Sequence, residues 1–415
     1  MRWVRPSKIA GRISAPPSKS AMIRAAAAAA QAPGVSTVLQ PSFCDDALAA
    51  LRVAEGLGAE VTRGVNSAII KGRAGPPRSA LDCGESGLCL RMFIPLAALG
   101  QKEVVISGQK TLLKRPVGGI ERPLASLGAS CRTDGGFPPA VVKGPLRGGQ
   151  AEVDGSESSQ FLTGLLTALP ACRDYSELTV LSLRSRPYVD LTIPVLARFG
   201  VTIDWDKRRD AFSIKGGQNF EPGTFKVEGD WSAAAFLLVA GAVAGRITVE
   251  NLPASSFQAD RRVLDALRAA GASVSVEAAA VSFETAGLEG FEFDATDCPD
   301  LFPPLAALAC FCDGRTIIHG VERLRHKESD RAAALVEEFG RIGGRIEVQG
   351  DIMGIRGGGL EGGGVDSRGD HRIAMSGAVS GLRSVKGVRV EGPAAVSKSY
   401  PRFFEDLAAV GGDVS

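Results

Sequence analysis

The chain has 415 residues, 45% of them hydrophobic and 23% charged. That length exceeds one ordinary core and that balance excludes a disordered chain, so at least two globular domains are expected. A net charge of +2 with 6% aromatic residues provides neither a global pull toward nucleic acid or membrane nor base-stacking platforms.

The N-terminal "MRWVRPSKIAGRIS" has strand character and no apolar signal region. The next stretch, "APPSKSAMIRAAAAAAQ", predicts a helix capped by Ser18 or Ser20, too short and too weakly apolar to span a bilayer. Lys19 and Arg24 stand near its start, where the macrodipole disfavours each cation by about 0.3–1 kcal/mol. A compensating anion is therefore expected there.

Onward along the chain, a helix end, a glycine and an alternating strand recur together. The phrases are "GLGAEVTRG", "SLGASCRTDGG", "RFGVTIDWD", "AAGASVSVE", "RIGGRIEVQG" and a truncated "AVGGDVS". Their glycines, Gly58, Gly128, Gly200, Gly271, Gly343 and Gly411, are spaced by 70, 72, 71, 72 and 68 residues, which marks an internal repeat. Between them recurs a polar cluster opening a helix that is apolar all round and hence buried, then a strand. Each repeat thus reads as apolar helix, strand, second helix and β-hairpin. The last repeat stops short, so the N-terminal strand is expected to complete it. Three repeats then form one domain, about 16–227, and three form the other, 1–15 with 228–415.

The six polar clusters contain Ser20, Gly87, Ser159, Ser232, Asp300 and His371, spaced by 67, 72, 73, 68 and 71. Helix starts offer free N–H groups and a positive dipole end, which together bind anions. Basic residues gather near them: Lys19, Arg24, Arg91, Arg115, Lys327, Arg331, Arg372 and Lys398. Taken singly, "KESDR", "SESSQF" and "DCPDLFPP" each also fit an ordinary helix cap. Their recurrence at equivalent places points instead to a polyanionic ligand in a cleft between the two domains. The eight cysteines (Cys44, Cys83, Cys89, Cys131, Cys172, Cys298, Cys310 and Cys312) lack CxxC spacing, and the histidines are His319, His326 and His371. Buried free thiols in a reducing cytoplasm are expected rather than a metal site. The GxGxxG at Gly357, Gly359 and Gly362 lacks a strand-to-helix context and predicts no dinucleotide site.

From "PPSKSAMIR" to "SKSYPRFFEDL", these motifs resemble in order and spacing the 5-enolpyruvylshikimate-3-phosphate synthases, a family of enolpyruvyl transferases. The resemblance implies an α/β (α+β) fold, a two-domain inside-out α/β barrel of six βαβαββ repeats, three per domain. It implies transfer of the enolpyruvyl group of phosphoenolpyruvate to the 5-hydroxyl of shikimate 3-phosphate, with no metal or organic cofactor. Residues 16–227 would mainly bind shikimate 3-phosphate; 1–15 with 228–415 would mainly bind phosphoenolpyruvate and carry catalysis.

By the same resemblance, shikimate 3-phosphate is held by Lys19, Ser20, Arg24, Ser158, Ser159, Ser185, Tyr188, Asp300 and Lys327. Phosphoenolpyruvate is held by Lys19, Gly87, Arg115, Gln160, Arg331, Arg372 and Lys398, whose arginine forks match carboxylate and phosphate oxygens. Asp300, Glu328 and Lys19 are the expected proton carriers, although Lys327 and Arg331 favour the ionised form of Glu328. A monomeric cytoplasmic enzyme acting on small molecules, without nucleic-acid or membrane partners, is expected.

Three positions depart from the commonest family pattern. Glu85 and Arg323 stand where asparagine is usual, and Arg186 where lysine is. The related UDP-N-acetylglucosamine enolpyruvyl transferases use a loop cysteine near the segment of Arg115, and "SGQKTLLKRPVGG" has none. A non-catalytic descendant of the fold would not need Lys19, Asp300, Glu328 and Arg372 together.

Overall fold

A computed structural model describes residues 1–285, 287–325 and 327–415; His326 and Ala286 lie outside these. The chain divides into two compact units, Pro17–Val227 and Met1–Pro16 with Glu228–Ser415. Among the described residues, each unit holds three four-stranded sheets.

The second repeat shows the plan. Strand Ala80–Asp82 leads into helix Gly87–Ala97 and pairs in parallel with strand Val104–Ser107. Helix Glu121–Ser126 follows, and the hairpin of Ser130–Asp134 and Phe137–Lys143 closes the sheet antiparallel. Strands such as Ser176–Leu181 alternate buried and exposed along their length, as a sheet with one wet face requires.

The recurrent glycines each follow a second helix, with φ between +78° and +104°, a region that costs L side chains strain. After five of the six, all but Gly271, the next residue donates back into the last helical turn. Ala129 N reaches Leu124 O at 2.9 Å and Gly412 N reaches Leu407 O at 3.0 Å. This Schellman-type closure turns the chain sharply from helix to hairpin, and it explains why a glycine recurs there.

The N-terminus contributes two strands rather than one. Arg2–Arg5 lies antiparallel between Val388–Glu391 and Asp413–Val414, completing the last sheet from both chain ends. Ile9–Ser14, which leads into the first helix, instead pairs in parallel with Gly245–Glu250 of the fourth repeat. Thr224–Lys226, which leads toward the fourth-repeat helix, pairs in parallel with Gly34–Leu39 of the first. The two lead strands are thus exchanged, and the chain passes between units just after each of them.

The first helix of each repeat forms the core. Gly87–Ala97, Trp231–Ala244 and His371–Gly381 are buried on nearly every side. Within the Met1–Pro16/Glu228–Ser415 unit, helices Trp231–Ala244, Phe302–Ala309 and His371–Gly381 pack against one another. Arg372, at the start of the last of these, donates to Asp300 in the turn that opens the second, so these two starts meet at one end of that unit. No helix among the described residues is long and apolar enough to cross a membrane, and all eight cysteines are free and buried.

Candidate active site

In the unit containing residues 228–415, the helix starts are joined by charge. Arg331 opens helix Arg331–Arg341 behind its cap Asp330 and is only 1% exposed. Its Nη1 donates to Asp300 Oδ1 at 2.7 Å, its Nη2 to Glu328 Oε2 at 2.5 Å and its Nε to Asp370 Oδ2 at 2.8 Å. An isolated guanidinium would not tolerate such burial; three carboxylates sharing it satisfy both charge and hydrogen bonding.

Asp300 is held from a second side by Arg372, whose Nη2 donates to Oδ2 at 2.9 Å. Lys327 Nζ lies 3.9 Å from Asp300 Oδ1, and Lys398 Nζ 3.9 Å from Glu328 Oε1. Burial alone would raise the Asp300 carboxyl, but Arg372, Lys327 and Arg331 outweigh it and hold the group well below the usual carboxylate range. Burial pushes the Lys327 ammonium down to about 8, with Asp300 opposing.

Asp370 does double duty. It caps helix His371–Gly381 by accepting from Arg372 N at 2.9 Å, and it also accepts from Ser329 Oγ at 3.1 Å. His371 is buried beside it, with Nδ1 3.7 Å from Asp370 Oδ1. Glu328, Asp370 and His371 each place one ligand-type atom within 4.8 Å of the others. Arg331 already bonds both carboxylates, so its charge takes the role a cation would have there.

In the Pro17–Val227 unit, Ser18 caps helix Lys19–Gln31, its hydroxyl accepting from Ala21 N at 3.3 Å. The anion beside Lys19 is internal: Asp46 Oδ2 lies 3.0 Å from its Nζ. Arg24 is buried, and its fork ties three segments together. Nε donates to Thr192 Oγ1 at 2.9 Å, Nη1 to Ser20 O at 3.0 Å and Nη2 to Tyr188 O at 3.3 Å. Burial lowers its pKa to about 10, the tyrosine opposing.

Ser158 Oγ accepts from Gln160 N at 3.2 Å at the start of helix Gln160–Ala168. Ser159 Oγ donates to Ser185 O at 3.4 Å. Ser185 itself is left-handed, with φ 57°, just before helix Arg186–Ala197. A strained residue at a helix start is a feature that recurs at binding sites. Gln160 Oε1 accepts from Arg91 Nη1 at 2.9 Å.

Arg115 lies against Gly87, closely enough that a Cβ at residue 87 would come within 2.7 Å of its Nη1. The three departures from the family pattern are all engaged. Glu85 meets Lys110 at 3.0 Å, Arg186 pairs with Asp210, and Arg323 Nε donates to Thr296 O at 3.3 Å.

Lys327, Glu328, Arg331, Asp300, Arg372 and Lys398 thus form one cluster within their unit. Lys19, Ser20, Arg24, Gly87, Arg115, Ser158, Ser159, Gln160, Ser185 and Tyr188 all belong to the other unit. Sequence reasoning missed Asp46, Asp260, Asp370 and Thr192. Asp46 looks like a first-turn acid in "FCDDALAAL", and nothing local shows that it faces a residue 27 positions away. Asp260 is buried and accepts from Ser232 Oγ; burial raises its carboxyl to about 6, and the Asp300 charge adds to this. The repeat offers one signal here, because it places Ser232 at a helix start equivalent to that of Asp300.

The family model described as EPSP synthase (3-phosphoshikimate 1-carboxyvinyltransferase) matches residues 4–407. A curated 3-phosphoshikimate 1-carboxyvinyltransferase of Aeropyrum pernix is 41% identical over 412 residues, covering 99% of this chain and 96% of that protein. One from Clostridium kluyveri is 37% identical over 415 residues, covering 99% and 97%. Among solved structures, EPSP synthase from Acinetobacter baumannii matches with a TM-score of 0.84 at 26% identity, covering 100% of this chain and 99% of that one. The fold class is accordingly the two-domain inside-out α/β barrel.

Proposed function

The chain belongs to the EPSP synthase family, and from that premise we propose which of its residues carry the family's reaction. The reaction transfers the enolpyruvyl group of phosphoenolpyruvate to the 5-hydroxyl of shikimate 3-phosphate and releases phosphate, in the biosynthesis of aromatic amino acids. The observation that carries the assignment is the Arg331 cluster. It collects in one place three carboxylates and the cations that two anionic substrates would need.

Ser20, Ser158, Ser159, Ser185 and Tyr188, together with Arg24 and Lys327, would hold shikimate 3-phosphate. Serine hydroxyls and helix N–H groups suit its phosphate, and the Asp300 carboxylate suits its hydroxyls. Lys19, Gly87, Arg115, Gln160, Arg331, Arg372 and Lys398 would hold phosphoenolpyruvate. That residues of both units serve one reaction is itself part of the proposal, as is the division of labour. Pro17–Val227 would chiefly bind shikimate 3-phosphate, and the other unit would bind phosphoenolpyruvate and carry the chemistry.

The chemistry is addition followed by elimination. The 5-hydroxyl oxygen bonds to C2 of phosphoenolpyruvate, its proton passes to a base and a proton is added at the methylene carbon. Asp300 is the base of this reading, ionised but lowered in basicity by Arg372, Lys327 and Arg331, and the Lys19 ammonium is the donor. The resulting ketal phosphate then loses phosphate and a methyl proton. Glu328, paired with Arg331, fits the role of acceptor in that second step. A monomeric enzyme in a reducing cytoplasm completes the reading, and the eight buried free thiols support the compartment.

The test is phosphate release from phosphoenolpyruvate, measured with and without shikimate 3-phosphate, in the wild type and in Asp300→Asn, Glu328→Gln and Lys19→Met. Release dependent on shikimate 3-phosphate and lost in all three variants supports the assignment. Full activity in any one of them removes that residue from the mechanism.

A further inference from the structure

The segment that carries Arg115 is strapped to the segment that carries Gly87. Gln109 N donates to Gly84 O at 2.6 Å, and Gln109 Nε2 donates to Asp82 Oδ2 at 2.6 Å. Glu85 holds the next two residues: Lys110 Nζ reaches Oε1 at 3.0 Å and Thr111 Oγ1 reaches Oε2 at 3.1 Å. Lys110 adopts a left-handed backbone with φ 45°, a conformation its side chain would not choose unaided. The turn Lys110–Lys114 then ends at Arg115, whose N–H closes on Leu112 O at 3.1 Å, and Leu112 is fully buried.

Charge makes the strap more than a tether. Glu85 stands two residues before Gly87, at the start of the helix whose first turn faces Arg115. A bare carboxylate there would repel an incoming phosphate, and the exposed Lys110 ammonium, itself 76% accessible, cancels it.

We propose that Glu85 and Lys110 form a charge-neutral strap that positions Arg115 and sets the affinity for phosphoenolpyruvate. Both act through Arg115 and through the field at Gly87; neither is a catalytic residue. The proposal rests on the reading of Gly87 and Arg115 as phosphoenolpyruvate contacts.

The order of effects among variants separates this role from a merely structural one. Lys110→Ala removes this ion pair from Glu85 and raises KM for phosphoenolpyruvate by about fivefold, with kcat and the KM for shikimate 3-phosphate little changed. Adding Glu85→Ala to Lys110→Ala removes the repelling charge and brings KM part of the way back toward the wild type, the remaining rise measuring the lost positioning of Arg115. Glu85→Gln, which keeps a partner for Thr111, stays near the wild type. The Lys110→Ala effect shrinks in about 0.5 M salt, where the Debye length is only a few ångströms. The proposal is overturned if Lys110→Ala leaves this KM unchanged while Arg115→Ala raises it, or if the double variant is no better than Lys110→Ala. Should Arg115→Ala also leave KM unchanged, the substrate contact itself falls, and the strap with it.

Discussion

Arg331 Nη1 and Asp300 Oδ1 meet at 2.7 Å, joining the start of one helix to the turn that opens another 31 residues earlier in the chain. The same guanidinium bonds Glu328 and Asp370. One buried cation therefore fixes the position of both proposed acid–base carboxylates and of the residue that caps the His371 helix.

Removing it should be costly in two ways. Arg331→Ala leaves three carboxylates facing one another around a buried gap, a loss of about 3–5 kcal/mol in stability. Arg331→Lys restores a charge but not the fork, so urea unfolding should show a smaller loss. Its kcat/KM should nevertheless fall by about two orders of magnitude.

Gly87→Ala should act on phosphoenolpyruvate alone. The added methyl would lie 2.7–2.9 Å from the Arg115 guanidinium, and the far end of that side chain would have to move. We expect KM for phosphoenolpyruvate to rise about tenfold with stability within about 1 kcal/mol of the wild type. Glyphosate, which mimics that substrate, should inhibit the wild type and lose potency in the variant. Steady-state kinetics with and without glyphosate checks both statements.

Lys327 predicts an alkaline limb. Its folded pKa is lowered from 10.5 to about 8, so the ammonium that would hold the shikimate phosphate is lost as pH rises through 8. KM for shikimate 3-phosphate should climb above that pH, and Lys327→Arg should move the limb upward. Stability runs the other way. Between pH 8 and 10.5 the unfolded chain binds more protons at this site, so the penalty of burying the ammonium is relieved as pH rises.

Asp260 supplies a stability test independent of activity. Its carboxyl is raised from 3.8 to about 6, so between these values the native state holds the extra proton and loses stability with rising pH. Asp260→Asn, which keeps an acceptor for Ser232, should therefore raise the melting temperature at pH 8 and leave it nearly unchanged at pH 4. Equal shifts at both pH values would remove the charge explanation.

The Lys19 helix separates what is local from what is not. Its cap, its apolar run and its place in a repeat of about seventy residues were legible in "PPSKSAMIRAAAAAA", because caps and periodicity are properties of neighbouring residues. So were the six helix starts and the glycines at φ > 0 that end the second helices. The destination of Ile9–Ser14 was not legible, since either sheet would accept a strand of that pattern. Nor were the partners of the charges: Asp46 for Lys19, Thr192 for Arg24, Asp370 for Arg331 and Lys110 for Glu85. The sequence by itself determined which elements form and where cations gather. Only the tertiary structure decided which partner each charged group meets, because those pairs lie 25 to 168 residues apart and their energy depends on distance and burial in space.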